Sequence, residues 1–145
     1  TPKPIFLKLS PDMSIDEALA ISNVAIEGGA KGLICTNTTV EYALLKNAKD
    51  FGGISGRALT QKSFLMFKEI AKVFYGKAVL VSCGGIFDAD EAYKRIKYGA
   101  DLLQVYTSLI YEGPSVLKTI NKELDSMLKL DGFNSIKEAK GVLLG

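Results

Sequence analysis

The sequence contains no histidine and only two cysteines among its 145 residues. Without histidine, a catalytic triad built on imidazole and most kinds of zinc site are excluded. Cys35 and Cys83 stand in separate apolar segments and lack the paired spacing of a metal site, so we expect reduced, cytosolic thiols. No run approaches the ~18 apolar residues of a membrane-spanning helix, and no segment has the pattern of a signal peptide.

The chain also lacks a strong charge of either sign, with a formal net charge of +2. Its lysines are scattered over predicted helices rather than clustered, so we expect no nucleic-acid partner and a cytoplasmic protein. An apolar share of 48% and a charged share of 23% are ordinary for a soluble globular protein. The length suits one domain with a real core, which we place at residues 1–145.

Four short, nearly continuous apolar runs predict parallel strands that are covered on both faces. They are residues 5–9, 32–36, 78–82 and 102–106. Helix-like segments follow each run, with start signals that include a capping-box spacing at Ser14 and Glu17, a cap at Thr60, a similar pair at Asp88 and Glu91, and Pro114 in a first turn. In the last long helix we expect Leu117, Ile120, Leu124 and Leu128 to mark the buried face.

Four β-α units in a row predict an α/β fold with a parallel sheet. A complete TIM (β/α)8 barrel has eight such units in ~250 residues, so four parallel βα units amount to half of one. Residues 41–59 are long for a βα loop. Long loops at the carboxyl ends of strands are where such folds carry their functional sites.

Two neighbouring strand ends predict a phosphate site. Gly84 and Gly85 follow the third run, where glycines let backbone N–H groups approach a phosphate and a following helix adds partial positive charge. Tyr106 ends the fourth run and Thr107 follows it, and both offer further N–H and hydroxyl donors. A lone Gly-Gly is more often a tight turn, but the matching second loop favours the functional interpretation.

Three other segments are candidates for ligand binding. A lysine inside a buried strand is costly unless its charge is used, so Lys8 is expected to reach the site and stabilise negative charge, although an exposed edge lysine is the alternative. Thr36, Asn37 and Thr38 suit a planar ligand with carbonyl and carboxylate oxygens, or else form a simple turn. Ser55 and Gly56 lie in a glycine-rich stretch that either approaches a cofactor or forms a flexible surface turn.

These motifs, taken together and in order, resemble the dihydroorotate dehydrogenases. The matching stretches are Lys8 to Asp12, Thr36 to Thr39, Gly53 to Arg57, Gly84 to Ile86 and Gln104 to Thr107. The tail from Tyr111 to Phe133 resembles the membrane-associated, quinone-using class (class 2). The resemblance covers the whole chain and implies the C-terminal half of the barrel, part of a longer enzyme that starts upstream of Thr1.

The resemblance implies FMN as cofactor and dihydroorotate and orotate as substrate and product. It places Lys8 on the flavin ring and Asn37 and Thr38 on the substrate ring. It adds Thr36, Ser55 and Gly56 as further FMN contacts. The phosphate would lie on the two strand ends described above, at Gly84, Gly85, Tyr106 and Thr107.

No residue of this chain is a convincing catalytic base, since Asp12, Asp88, Asp90 and Glu91 look like turn and cap residues. The resemblance implies a serine base, further FMN contacts and quinone-admitting helices in the first half of the barrel. We therefore expect the chain alone to be inactive and to bind FMN weakly or not at all. The parent enzyme is expected to sit peripherally on the inner membrane.

A half-barrel exposes two sheet edges, which predicts pairing of two copies as a homodimer or a domain-swapped assembly. Two other functions stay open from the residues. One is another FMN- or phosphate-binding TIM-barrel oxidoreductase, which would share the phosphate site but not the combination of that site with Asn37 and Thr38. The other is a non-enzymatic, flavodoxin-like α/β module.

Overall fold

The four apolar runs form one parallel sheet. A computed structural model describes residues 3–144, and its strands are β1 (Phe6–Leu9), β2 (Gly32–Cys35), β3 (Val79–Cys83) and β4 (Leu102–Gln104). They lie in the order β1-β2-β3-β4, and each neighbouring pair is parallel. The prediction of four parallel βα units is confirmed.

Helices connect and cover these strands. They are α1 (Ile15–Glu27), α2 (Thr60–Phe74), α3 (Ala89–Lys97), α4 (Thr107–Glu112), α5 (Ser115–Leu130) and α6 (Ile136–Ala139). The capping box predicted at the start of α1 is confirmed, because Ser14 Oγ accepts the Glu17 N–H and the Glu17 carboxylate accepts the Ser14 N–H. No helix within residues 3–144 combines the length and apolarity needed to cross a bilayer.

The main core lies between the sheet and helices α1 and α2. Leu9, Leu33 and Leu80 pack there against Phe67 and Ile70, all of them buried. Successive strand residues alternate between the two faces of a sheet. Lys8, which is paired with Ile34, therefore lies on the face opposite Leu9. This second face is the inner side of a half-barrel.

A second core joins α3, α5 and α6. On α5 it contains Val116, Ile120, Leu124 and Leu128. Our prediction for Leu117 was wrong, since that residue is 43% exposed. Pro114 is the N-cap and the helix begins at Ser115. The buried stripe runs from Val116 in steps of four residues, and Leu117 is turned about 100° away from Val116 around the helix.

One prediction about a helix start was wrong, and one helix was not predicted. Thr60 does not cap α2, because a 3-10 turn (Gly56–Leu59) leads directly into the helix and Leu59 is its N-cap. The Thr60 hydroxyl instead donates to the Gly85 carbonyl at 2.8 Å. Helix α4 was not predicted; it starts at Thr107, close behind β4.

The long loop after β2 is closed at its base by a bridge between Thr39 and Ile54. The two residues exchange both backbone hydrogen bonds, at 3.1 Å and 2.7 Å. Inside the loop, the Tyr42 hydroxyl donates to the Gly52 carbonyl at 2.9 Å. The bridge holds the segments before and after the loop side by side at the carboxyl edge of the sheet.

Candidate functional site

A cleft of about 160 Å³ lies at the carboxyl ends of the four strands. The structure brings all ten candidate residues together along its walls: Lys8, Thr36, Asn37, Thr38, Ser55, Gly56, Gly84, Gly85, Tyr106 and Thr107. Parallel strands make this possible, because their carboxyl ends meet at one edge of the sheet. Residues up to 99 positions apart in sequence, such as Lys8 and Thr107, therefore share one site.

The Gly84-Gly85 turn forms one wall of the cleft. Both residues have positive φ, at 109° and 74°. A Cβ on Gly85 would lie 2.2 Å from Thr60 Oγ1 and 2.6 Å from the Thr60 nitrogen. The Gly84 carbonyl accepts from Ser63 Oγ at 2.7 Å, and the Gly85 carbonyl accepts from Thr60 Oγ1. The turn is therefore fixed against the start of α2.

This fixing determines where the N–H groups of the turn point. In a trans peptide the C=O and N–H bonds point in opposite directions. Since the carbonyls of Gly84 and Gly85 face α2, the N–H groups of Gly85 and Ile86 face away from it. Neither N–H donates a hydrogen bond to any group within residues 3–144. Both residues line the cleft, so the turn offers it two free backbone donors.

Helix α3, which follows this turn, contributes less positive charge to the cleft than we expected from the sequence. Asp88 caps α3, and its carboxylate accepts the Glu91 N–H at 2.9 Å. The N-terminal charge of this helix is thus partly satisfied by its own cap. The pair is not a full capping box, because the Glu91 side chain binds Lys94 and Arg95 instead.

The end of β4 and the Ser-Gly segment form the opposite wall. Thr107 Oγ1 donates to Ser55 Oγ at 3.1 Å, and a Cβ on Gly56 would lie 3.0 Å from Thr107 Cγ2. The side chain of Tyr106 is 73% exposed. Ser108 Oγ is buried beside the cleft and has no hydrogen-bond partner in the described part of the chain. This wall carries hydroxyl groups with unused hydrogen-bonding capacity.

The end of β2 presents neutral polar groups. Thr36 is buried, its N–H donates to the Cys83 carbonyl, and its hydroxyl donates to the Asn37 carbonyl. The Asn37 N–H donates to the Leu9 carbonyl at 2.8 Å. These bonds fix the backbone to both neighbouring strands. They leave the exposed side chains of Asn37 and Thr38 available at the cleft.

A charged network outside the cleft supports this segment. The buried Thr39 hydroxyl donates to Asp12, whose other oxygen accepts the Val40 N–H at 2.8 Å. Lys62 lies 2.5 Å from Asp12 and 2.6 Å from Glu41. Partial burial raises the pKa of Asp12, but the bonds from Lys62, Thr39 and Val40 outweigh it and hold that pKa below its usual 3.8. Asp12 is thus more than the turn residue we predicted.

The titratable groups at the cleft are few. Lys8 is exposed on the open face at the end of β1. Cys83 is half-buried in the lining, whereas Cys35 lies behind the sheet, where burial raises the pKa of its thiol to about 12. Along the described stretch, the cleft lining includes no carboxylate. The described residues therefore present no carboxylate base to a ligand.

Arg95, which was not predicted to be a site residue, is fully buried behind the Gly84-Gly85 turn. Its guanidinium donates to five groups on four segments. One signal was available: Arg95 lies beside Ile96 on the apolar face of α3, three residues after Ala92. A charged residue at such a position needs buried partners.

Comparison with known proteins supplies the family. The family model described as dihydroorotate dehydrogenase matches residues 1–128. The chain belongs to the dihydroorotate dehydrogenase family. A dihydroorotate dehydrogenase (quinone) from a Nitratiruptor species is 53% identical over 142 residues, or 98% of this chain and 40% of that protein. The corresponding protein from Helicobacter acinonychis is 55% identical over 141 residues, or 97% of this chain and 40% of that protein.

Solved structures have the same fold as this chain. The crystal structure of ligand-free DHODH from Eimeria tenella matches with a TM-score of 0.89 at 35% identity, covering 97% of this chain and 40% of that one. These neighbours are TIM barrels, which confirms the predicted fold class. The chain spans about 40% of the length of the curated relatives it matches.

Proposed function

We propose that this chain forms the cofactor-phosphate and substrate side of a quinone-dependent dihydroorotate dehydrogenase, which oxidises dihydroorotate to orotate in pyrimidine biosynthesis. The observation that carries the proposal is the convergence of all ten candidate residues on one cleft. The family membership and the names of the relatives support the same activity. They do not favour the other oxidoreductases or the flavodoxin-like module.

The residues of the cleft fit FMN. A phosphate needs several donors, and the turn supplies the free N–H groups of Gly85 and Ile86. The unpartnered Ser108 hydroxyl offers a further donor nearby, and the hydrogen-bonded hydroxyl pair of Ser55 and Thr107 has one O–H left to donate. At Gly85 a Cβ would clash with Thr60, which suits a turn whose backbone itself meets the ligand. We assign the phosphate to Gly84, Gly85, Tyr106 and Thr107.

The ring system would lie towards β1 and β2. Lys8 provides a positive charge on the open face, suited to negative charge on the reduced flavin ring. Thr36, Ser55 and Gly56 form the adjoining wall. Bound FMN would supply a hydride acceptor for the C6 hydrogen of dihydroorotate.

The substrate would contact Asn37 and Thr38. Their amide and hydroxyl groups can donate to and accept from the ring carbonyl, ring N–H and carboxylate of dihydroorotate. The backbone bonds of Asn37 and Thr36 to the neighbouring strands hold both side chains in place. The base that takes the C5 proton would come from outside this chain, because the described cleft lining has no carboxylate and the sequence has no histidine.

Quinone use and peripheral membrane association belong to the same proposal, through parts of the enzyme other than this chain. For the chain on its own, we propose self-association. Leu102 on the outer strand β4 is 57% exposed, and Ile5, directly before the other outer strand β1, is 70% exposed. Unpaired edges of this kind favour pairing with a second copy. Sedimentation at micromolar concentration tests this, and a strictly monomeric chain would contradict it.

The activity is tested on the full gene product with dihydroorotate and a soluble quinone. We expect FMN in a 1:1 ratio and turnover that depends on both substrates. Replacing Asn37 with Ala should raise KM for dihydroorotate about tenfold or more, because a buried ligand group loses its partner, while flavin content is unchanged. Asn47→Ala is the matched control, since Asn47 is exposed on the loop away from the cleft.

Two outcomes would overturn the proposal. One is a flavin-loaded protein that does not oxidise dihydroorotate with any quinone. The other is an unchanged KM in Asn37→Ala. Protection of the protein by orotate in a thermal shift assay separates this activity from other FMN barrel oxidoreductases.

A further inference from the structure

The buried guanidinium of Arg95 is the least expected group near the cleft. It is 0% exposed, and it lies on the far side of the Gly84-Gly85 turn from the ligand space. A buried charge destabilises a fold unless it is paired and hydrogen-bonded, so the contacts of Arg95 indicate what it holds in place. Arg95 does not line the cleft, so it cannot contact a ligand directly.

The contacts of Arg95 converge on the turn and its support. Nη2 donates to the Gly84 carbonyl at 2.9 Å and to Ser63 Oγ at 3.0 Å. Ser63 Oγ in turn donates to the same Gly84 carbonyl at 2.7 Å. Nη2 also lies 3.2 Å from the Thr60 carbonyl. The Gly84 carbonyl thus receives two donors, one of them charged.

The other side of the guanidinium is fixed just as firmly. Nη1 donates to Ser82 Oγ, on the strand that leads into the turn, at 2.8 Å. Nε donates to the Glu91 carboxylate at 2.9 Å, one helical turn earlier on α3. Burial lowers the pKa of Arg95 and the Glu91 charge raises it, and an arginine stays protonated under these conditions. The charge beside the turn is therefore permanent.

We infer that Arg95 is a positioning residue for phosphate binding: by holding the Gly84 carbonyl away from the cleft, it keeps the Gly85 N–H pointed into it. The carbonyl and the next N–H belong to one peptide plane, so fixing one fixes the other. The permanent positive charge behind this plane also favours an anion in front of it. This inference rests on the proposed function and adds a residue to it.

The test compares FMN with riboflavin, which lacks the phosphate. The full gene product is stripped of flavin, and both affinities are measured by flavin fluorescence quenching. In Arg95→Gln we expect FMN to bind about tenfold to a hundredfold more weakly, the loss expected for a misplaced charge-assisted site, with riboflavin affinity nearly unchanged. A purely structural role would weaken both ligands alike.

Controls come from the same helix and the same carbonyl. Lys94→Gln removes a neighbouring charge that also contacts Glu91, and it should keep the preference for FMN. Arg95→Lys retains a charged donor for the Gly84 carbonyl and should retain most of the preference for FMN over riboflavin. Ser63→Ala removes the other donor to the Gly84 carbonyl and one acceptor of Arg95, but keeps the direct bond from Arg95 to that carbonyl. A smaller loss of FMN affinity is therefore expected, even if Arg95→Gln fails to fold.

The outcomes separate the two proposals. If the unmodified protein binds FMN no better than riboflavin, the proposed phosphate site itself is wrong. If it prefers FMN and both Arg95→Gln and Ser63→Ala keep that preference, the phosphate site stands and the role of Arg95 is refuted. A parallel loss of both ligands in Arg95→Gln also refutes it.

Discussion

Replacement of Gly85 by alanine gives the sharpest test of the glycine turn. At Gly85 φ is 74°, and the added Cβ would meet the side-chain oxygen, Cα and nitrogen of Thr60 between 2.2 and 2.6 Å. Two of these atoms are backbone and cannot rotate away. Gly76 is the matched control, because its φ is also 74° and a Cβ there would meet no atom within 4 Å.

Both substitutions introduce backbone strain, but only Gly85→Ala also introduces a steric clash. Left-handed backbone costs a non-glycine residue about 1–2 kcal/mol, so both variants should lose that much stability. Gly85→Ala must also displace Thr60 or the turn, and overpacking of this kind costs about 1–3 kcal/mol more. The displaced turn would carry its N–H groups away from the cleft, so this variant alone should lose FMN.

Urea unfolding midpoints and the flavin absorbance of the purified full gene product measure the two effects. We expect Gly85→Ala to be less stable than Gly76→Ala by about 1–3 kcal/mol and to be largely free of flavin. Equal loss of stability in the two variants would show that the turn can relax, and the steric argument would be wrong. Full flavin content in Gly85→Ala would refute the assignment of the phosphate to this turn.

Three further predictions concern other parts of the molecule. An alkylating reagent should modify half-buried Cys83 and spare Cys35, because burial raises the pKa of the Cys35 thiol to about 12. Bound FMN should slow the reaction at Cys83; peptide mass mapping checks both points, and preferential labelling of Cys35 would contradict the prediction. Because the folded state lowers the pKa of Asp12, the ionised Asp12 stabilises the fold above pH 3.8, and this stabilisation is lost as the pH falls through the folded pKa. The difference in unfolding free energy between the unmodified protein and Asp12→Asn should therefore shrink in acid; urea midpoints at neutral pH and below pH 3.8 test this, and a constant difference would refute it. Finally, Ile120→Ala should cost about 2–5 kcal/mol and Leu117→Ala less than about 1 kcal/mol by chemical denaturation, whereas equal costs would contradict the placement of the buried face of α5.

The strands and the cleft were predictable because their signals are local. A parallel strand covered on both faces is a continuous apolar run, and the residue that follows it lies at the carboxyl edge of the sheet. Asn37, Gly85 and Thr107 could therefore be placed near one another from their positions after three such runs. The capping box at Ser14 was equally local, since its partner Glu17 is three residues away.

What the sequence did not reveal depends on contacts between distant segments. Thr60 has the chemistry of a cap, but its hydroxyl is taken by Gly85, 25 residues away. Arg95 is buried because Ser82 and Ser63 lie 13 and 32 residues away in sequence and reach it only in the fold. Leu117 and Val116 are both apolar, and which of them is buried depends on how α5 packs against α3.

The Thr39–Ile54 bridge allows the loop between these residues to vary in length. Because the bridge fixes both ends of the loop, the residues between them can vary in number without moving Asn37 before it or Gly56 after it. The loop tip is therefore a tolerant place for an insertion, such as an affinity tag or a fluorophore-bearing cysteine. Changes at the loop tip would therefore leave the walls of the cleft beside it in place.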